Sequence, residues 1–223
     1  MFKAHLWYGV SIGEEAPDVV RAYIEIGSTD TVKYEVDKSS GFLKVDWPQW
    51  LSNFCPVYST DSSRRPFRRA GAGIFAKRAR RKGMVRDGDP LDICVLSEES
   101  IPHSDILLTA LPISGLSLAD GDEADDKIIA VMRDDAVYGD CTDIAQRPKV
   151  LTDRFRHYFL TYKSAPRTTQ HKMEITRVYG REDALSVICA NHADYHKRHP
   201  ELSSLWPKHL SSAAFLNSSL EKS

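Results

Sequence analysis

At 223 residues, 42% of them hydrophobic and 27% charged, the chain is long enough for one well-buried core and at most a small appendage. A formal net charge of −1 excludes a global attraction to nucleic acid or to an anionic membrane. The longest mostly apolar stretch, Ile106 to Leu118, is broken by Pro112 and Gly115 and is too short to span a bilayer. The segment Met1–Trp7 lacks the charged, apolar and small-residue order of a signal peptide. Cys55, Cys94, Cys141 and Cys189 lie far apart with no C-x-x-C, which predicts reduced structural thiols in a cytoplasmic protein.

Residues 19–26 alternate as a strand, with Glu25 late in it. After Gly27–Asp30, Val32, Tyr34 and Val36 alternate with Lys33, Glu35 and Asp37, so the two sets fall on opposite faces of a second strand. Lys38–Gly41 is a turn and Phe42–Asp46 returns, which predicts a hairpin. Taken alone, Lys33 and Glu35 read as a solvated strand face.

The stretch 59–82 differs from the rest. From Arg64 to Lys82, nine of nineteen residues are Lys or Arg, and no acid occurs between Asp61 and Asp87. Such a run could bind nucleic acid. Without an aromatic stacking pattern it reads better as a basic loop with no such partner.

Two acidic clusters follow. Asp87-Gly88-Asp89-Pro90-Leu91-Asp92 places three carboxylates on a stiff turn before the apolar run Ile93–Leu96. That run is rich in branched residues and alternates poorly, as a buried strand does. Asp120-Gly121-Asp122-Glu123-Ala124-Asp125-Asp126-Lys127 likewise leads into Ile128–Val131. One acidic turn of this kind is ordinarily a solvated turn. Two such mouths, one containing a lysine, suggest hard cations around an anionic substrate, hence phosphoryl chemistry.

Asp153–Lys163 has Phe155, Tyr158, Phe159 and Tyr162 at helical spacing. Met173–Tyr179 alternates as a strand, and Arg181–His196 reads as a second helix. His192 and His196, near His199, form a solvated face rather than a zinc site on this reading, since no third firm ligand accompanies them. The Ser-rich segment 199–223 is expected to be a flexible tail after a single domain over 1–198. Strands first and helices last favour an α+β fold with a mostly antiparallel sheet or barrel.

With these residues in view, the chain resembles the soluble family I inorganic pyrophosphatases. Asp87 to Asp92 fits the family's D-x-D-P-x-D signature, and Asp120 to Lys127 its D-x₄-D-x-K spacing. Ile24–Ile26 with Lys33–Asp37 fits its N-terminal hairpin, and His157–Lys163 its helix carrying a Tyr-Lys pair. The resemblance implies an OB-like barrel of about five strands flanked by two helices. It implies Mg²⁺-dependent hydrolysis of pyrophosphate to two phosphates, with a homo-oligomer as a further option. Asp87, Asp92, Asp120 and Asp125 would hold metal, with Glu25 beside them on the metal's water and Glu35 behind it. Asp89 would orient or deprotonate the attacking water. Lys33, Lys127, Tyr162 and Lys163 would hold phosphate oxygens.

Two departures predict impaired activity. The family's V-D-R pattern is here Val45-Asp46-Trp47, and Trp cannot replace a bidentate phosphate clamp. The family's aromatic-Gly segment of the L-Y-G-F-I-P kind is replaced by Ser59-Thr60-Asp61-Ser62-Ser63-Arg64. Codons for that hexamer, read one nucleotide earlier, can spell Leu-Tyr-Gly-Phe-Ile-Pro, so residues from about Ser59 to Lys82 read as an out-of-frame stretch. The alternative function is an inactive protein of this fold that binds metal or pyrophosphate. Nucleic-acid binding through Arg64–Lys82 ranks below it.

Overall fold

The computed structural model describes residues 10–27, 30, 32–37, 39–48, 57–60, 85–86, 91–120, 123–161 and 173–198, with backbone alone at 47–48, 57–60, 85–86, 120, 123 and 196–198. Nine strands lie among these residues: β1 Val20–Ile26, β2 Val32–Val36, β3 Leu43–Pro48, β4 Val57–Thr60, β5 Val85–Arg86, β6 Asp92–Leu96, β7 Ile106–Asp120, β8 Glu123–Met132 and β9 Met173–Gly180. Helix α1 spans Lys149–Thr161 and α2 spans Arg181–Arg198.

β1 pairs antiparallel with β4 and β7, β4 antiparallel with β6, and β7 antiparallel with β8. β8 also pairs with β6, in parallel. The pairings β1–β4–β6–β8–β7 therefore return to β1, a circuit of five strands. β9 extends β7 and β5 extends β8, while β2 and β3 form a separate hairpin. The expected α+β class with two helices holds, and the sheet is mixed, with parallel pairings of β8 to β5 and β6.

After Asp92 and after Lys127, β6 and β8 are apolar on both faces, which is why those runs do not alternate in sequence. Ile93, Val95, Ile128 and Ala130 join one core cluster with Ala184, Val187, Ile188 and Tyr195 of α2. Cys94, Leu96, Ile129 and Val131 join another with Phe155, Tyr158 and Phe159 of α1. Each helix thus covers one face of the same two-sided strands.

Pro112 and Gly115, which break the longest apolar stretch in sequence, do not break β7. The β7–β8 register shifts between Pro112 and Ser114, so Ile113 is the extra residue of a bulge. A bulge tolerates proline's missing N–H, and the Pro112 carbonyl instead accepts a hydrogen bond from Arg181 Nε at 3.1 Å. Gly115 faces Tyr179 across the β7–β9 pairing, and the Tyr179 ring fills the space a Cβ would take. The same tyrosine donates its hydroxyl to Asp126 at 3.3 Å.

α2 is anchored at its start. Arg181 N–H donates to Asp143 Oδ2 at 3.1 Å, and Arg181 Nη2 meets Asp18 at 2.7 Å. Glu182 and Asp183 in the first turn complement the positive end of the helix dipole. The helix packs on β7 and β9. That packing corrects the reading of His192, which is 1% exposed and not part of a solvated face. The His196 side chain, His199, the tail 199–223 and residues 61–82 of the basic stretch lie outside the described residues. No described helix is long and apolar enough to cross a membrane.

Candidate active site at the mouths of two parallel strands

The parallel pairing of β6 with β8 places the starts of both strands at the same end. Asp92 closes the first acidic cluster as the first residue of β6, and Asp125 and Lys127 lie in the first five residues of β8, so one hydrogen-bonding choice brings together residues 35 apart in sequence. In register, Asp92 stands beside Lys127. Side chains alternate along a strand, so Asp125 shares the face of Lys127, and Asp126 takes the opposite one. The hydrogen bonds follow this parity. Asp92 and Asp125 both accept from Lys127 Nζ, the second at 2.7 Å. Asp126 instead accepts from Ser117 Oγ at 2.8 Å and from Tyr179.

Lys127 is 3% exposed, and its partners Asp92 and Asp125 are 18% and 13% exposed. Taking an ammonium out of water costs several kcal/mol, ~20 in the limit of a dry medium, and two adjacent carboxylates offset that cost. The site face continues inward as Cys94, Leu96, Ile129 and Val131, the face on which α1 packs. Tyr162 and Lys163 directly follow α1, which brings the end of that helix to this face of the sheet; their own positions lie outside the described residues.

The hairpin is fastened to β1 beside the site. The β1–β4 register shifts between Ile24 and Ile26, which makes Glu25 the extra residue of a bulge. Bulges re-aim side chains. Glu25 is 3% exposed, and its Oε1 accepts the Val36 N–H at 3.3 Å. Val36 packs with Tyr23, Val10 and Leu43. Tyr23 donates its hydroxyl to Asp105 at 2.8 Å. Burial pushes that phenol far above the ordinary tyrosine range, and the Asp105 hydrogen bond and the charges of Asp105 and Glu25 push the same way.

A second bulge shapes the hairpin. Lys33 pairs with Trp47 and Tyr34 with Val45, so Asp46 is the extra residue on β3. Lys33 Nζ meets Asp46 Oδ2 at 2.8 Å, and Glu35 lies 4.0 Å from Lys44 Nζ. Lys33 and Glu35 are half-buried, as a strand face near other structure would be. Asp46 is the partner that sequence reasoning missed. Its signal was present in the hairpin: an unshifted register puts Asp46 opposite Lys33, and although the bulge pairs Lys33 with Trp47, the two charged side chains still meet.

Of the expected site residues, the structure brings Asp92, Asp125 and Lys127 into direct contact and places Glu25, Lys33 and Glu35 at the β1–hairpin joint. Asp120 ends β7 opposite Glu123, with its side chain outside the described residues. Asp87 and Asp89 lie outside them too, as does the side chain of Trp47. Among the described residues no three His, Cys, Asp or Glu side chains form a metal cage. The donor chemistry nonetheless fits a hard divalent cation, because two carboxylates converge on a position already balanced by positive charge.

The sequence model of the family described as inorganic pyrophosphatase matches residues 22–196. An inorganic pyrophosphatase of Chlamydia trachomatis is 43% identical over 196 residues, covering 86% of this chain and 94% of that protein. A soluble inorganic pyrophosphatase of Solanum tuberosum is 36% identical over 160 residues, covering 72% of this chain and 67% of that protein. The crystal structure of inorganic pyrophosphatase from Thermus thermophilus superposes with a TM-score of 0.71 at 26% identity, covering 85% of this chain and 98% of that one. By the match over 22–196, the relatives and the shared fold alike, the chain belongs to the inorganic pyrophosphatase family.

Proposed function

We propose that this family member hydrolyses inorganic pyrophosphate to two phosphates with Mg²⁺ as cofactor, at the mouths of β6 and β8. The observation that carries the reading is Lys127 held between Asp92 and Asp125, an anion-binding cation and cation-binding carboxylates in one place. Asp87, Asp92, Asp120, Asp125 and Glu25 would hold the metal. Bound Mg²⁺ supplies Lewis acidity and offsets the charge of the substrate.

The chain's own groups do the rest. Asp89 takes the proton of the attacking water, for which it needs only hydrogen-bond reach. Lys33, Lys127, Tyr162 and Lys163 receive phosphate oxygens and stabilise charge on the leaving phosphate. Glu35 supports this group from the hairpin face, and the Glu25 contact to Val36 keeps that hairpin seated. Burial strengthens the interactions of Lys127: a charge pair at 4 Å is worth about 1 kcal/mol in water and about 4 at an effective dielectric of 20.

Turnover is impaired relative to a family member carrying an arginine in place of Trp47 and the aromatic-Gly segment in place of Ser59–Arg64. Those departures also favour a second reading, a protein that binds metal or pyrophosphate without turnover. Phosphate release from pyrophosphate with Mg²⁺, beside Asp92→Asn, tests the proposal. Release that disappears in the variant supports hydrolysis at this site. No release from folded wild-type protein, with pyrophosphate still bound, selects the second reading. Release that survives in Asp92→Asn refutes the assignment of the site.

A further inference from the structure

Lys127 sits on the same two carboxylates that a divalent cation would need. Its ammonium is buried, paired with Asp92 across the parallel register and with Asp125 two residues back on its own strand. A buried cation requires such partners, and two adjacent carboxylates require such a cation. The arrangement is therefore self-balanced before any ligand arrives. A metal ion approaching Asp92 and Asp125 meets a like charge already in place. It also takes from Lys127 the partners that hold it there. An ammonium on a flexible four-carbon stem, so released, is a mobile point charge suited to phosphate.

We propose that Lys127 is the resident counter-cation of Asp92 and Asp125, and that a divalent cation displaces it, so that metal binding and the freeing of Lys127 for phosphate are one event. The proposal rests on the metal reading above and adds to it an order, metal before substrate, and a residue that sets metal affinity. A lysine that served only to contact substrate would leave metal affinity untouched in the absence of pyrophosphate.

The test uses Mg²⁺ alone as ligand, without pyrophosphate, on the full chain. Mg²⁺ affinity is measured by calorimetry, and thermal unfolding is followed in chelator and in saturating Mg²⁺. The proteins are wild type, Lys127→Met and Asp126→Asn, the last altering a neighbouring carboxylate that faces Ser117 and Tyr179. Lys127→Met is expected to bind Mg²⁺ about tenfold or more tighter, a difference of about 1.4 kcal/mol. In chelator it melts about 4 °C or more below wild type, and saturating Mg²⁺ closes that gap, as linkage requires when metal replaces the lost cation. Asp126→Asn keeps wild-type Mg²⁺ affinity.

Wild-type Mg²⁺ affinity in Lys127→Met overturns the proposal, as does a melting deficit that persists in saturating Mg²⁺. An equal shift in Asp126→Asn overturns it too, by making the effect one of general charge. If Lys127→Met is unfolded in chelator, folding on addition of Mg²⁺ supports the proposal and continued unfolding refutes it. Wild-type protein with no response to Mg²⁺ by either method refutes the metal reading as well, whereas a responsive wild type with an unshifted variant refutes this inference alone.

Discussion

Replacing Glu25 with alanine tests whether the hairpin is fastened by one carboxylate. The Val36 N–H donates to Glu25 Oε1 at 3.3 Å, and Glu25 is 3% exposed. A hydrogen bond to a charged acceptor is worth about 1.5–3 kcal/mol, and the long donor–acceptor distance puts this one at the low end. Truncation also leaves the Val36 N–H short of its acceptor and removes one methylene from a packed position, at about 0.8 kcal/mol. The expected loss is therefore about 2 kcal/mol. With a urea m-value near 2–3 kcal/mol/M, the unfolding midpoint should fall by about 1 M. Glu25→Gln keeps an acceptor oxygen of the same reach and should lose less than half as much. Equilibrium urea unfolding by fluorescence reads both. An alanine variant that unfolds at the wild-type midpoint refutes the idea that Glu25 joins β1 to the hairpin. The glutamine variant then separates roles, since a protein that stays folded and loses phosphate release has lost the charge and not the joint.

Asp135 gives a pH prediction. Burial raises the pKa of this carboxyl, but N–H groups of Glu98, Tyr138 and Val137 and the nearby charge of Arg147 hold it below the ordinary range. A depressed folded-state pKa contributes stability above the unfolded value near 3.8, lost as pH falls through the folded one. Asp135→Ala should cost about 2–3 kcal/mol at pH 7, and that difference from wild type in urea unfolding should shrink steadily below pH ~4. Gly115→Ala should destabilise by about 1–3 kcal/mol, because its Cβ overlaps the Tyr179 ring and must drive the tyrosine away from Asp126. An unchanged melting temperature would mean that the ring moves at no cost. Finally, the coding DNA for Ser59–Arg64 should spell Leu-Tyr-Gly-Phe-Ile-Pro when read one nucleotide earlier; codons incompatible with that peptide end the out-of-frame explanation.

Much of the site was legible because its signals are local. Alternation in Val32–Val36 gave the faces of β2, and Val36 is indeed buried. The unalternating runs after Asp92 and Lys127 gave two-sided strands, and the helical spacing of Phe155, Tyr158 and Phe159 gave the buried face of α1. What stayed hidden is set by pairing between distant segments. Nothing near Asp92 announces that its neighbour in the sheet is Lys127. The bulges at Glu25, Asp46 and Ile113 are adjustments between strands, so strict alternation could not place those side chains. His192 shows a related limit. Polar residues hide the buried side of α2 in sequence, and its burial comes from β7 and β9 packing over it.

β4 carries a consequence of a different kind. Its backbone pairs Tyr58, Ser59 and Thr60 with Cys94, Ile93 and Asp92 on one side, and Ser59 and Thr60 with Ile24 and Tyr23 on the other. Main-chain amides and carbonyls are common to almost every residue type, so a ladder built from them is indifferent to spelling. A stretch can thus be rewritten from Ser59 onward while β1 and β6 keep the neighbour that holds them apart. The strand then serves as a spacer, and a contact to substrate that this stretch does not supply is to be sought on other walls of the site or added by grafting residues onto a frame whose backbone pairing is in place.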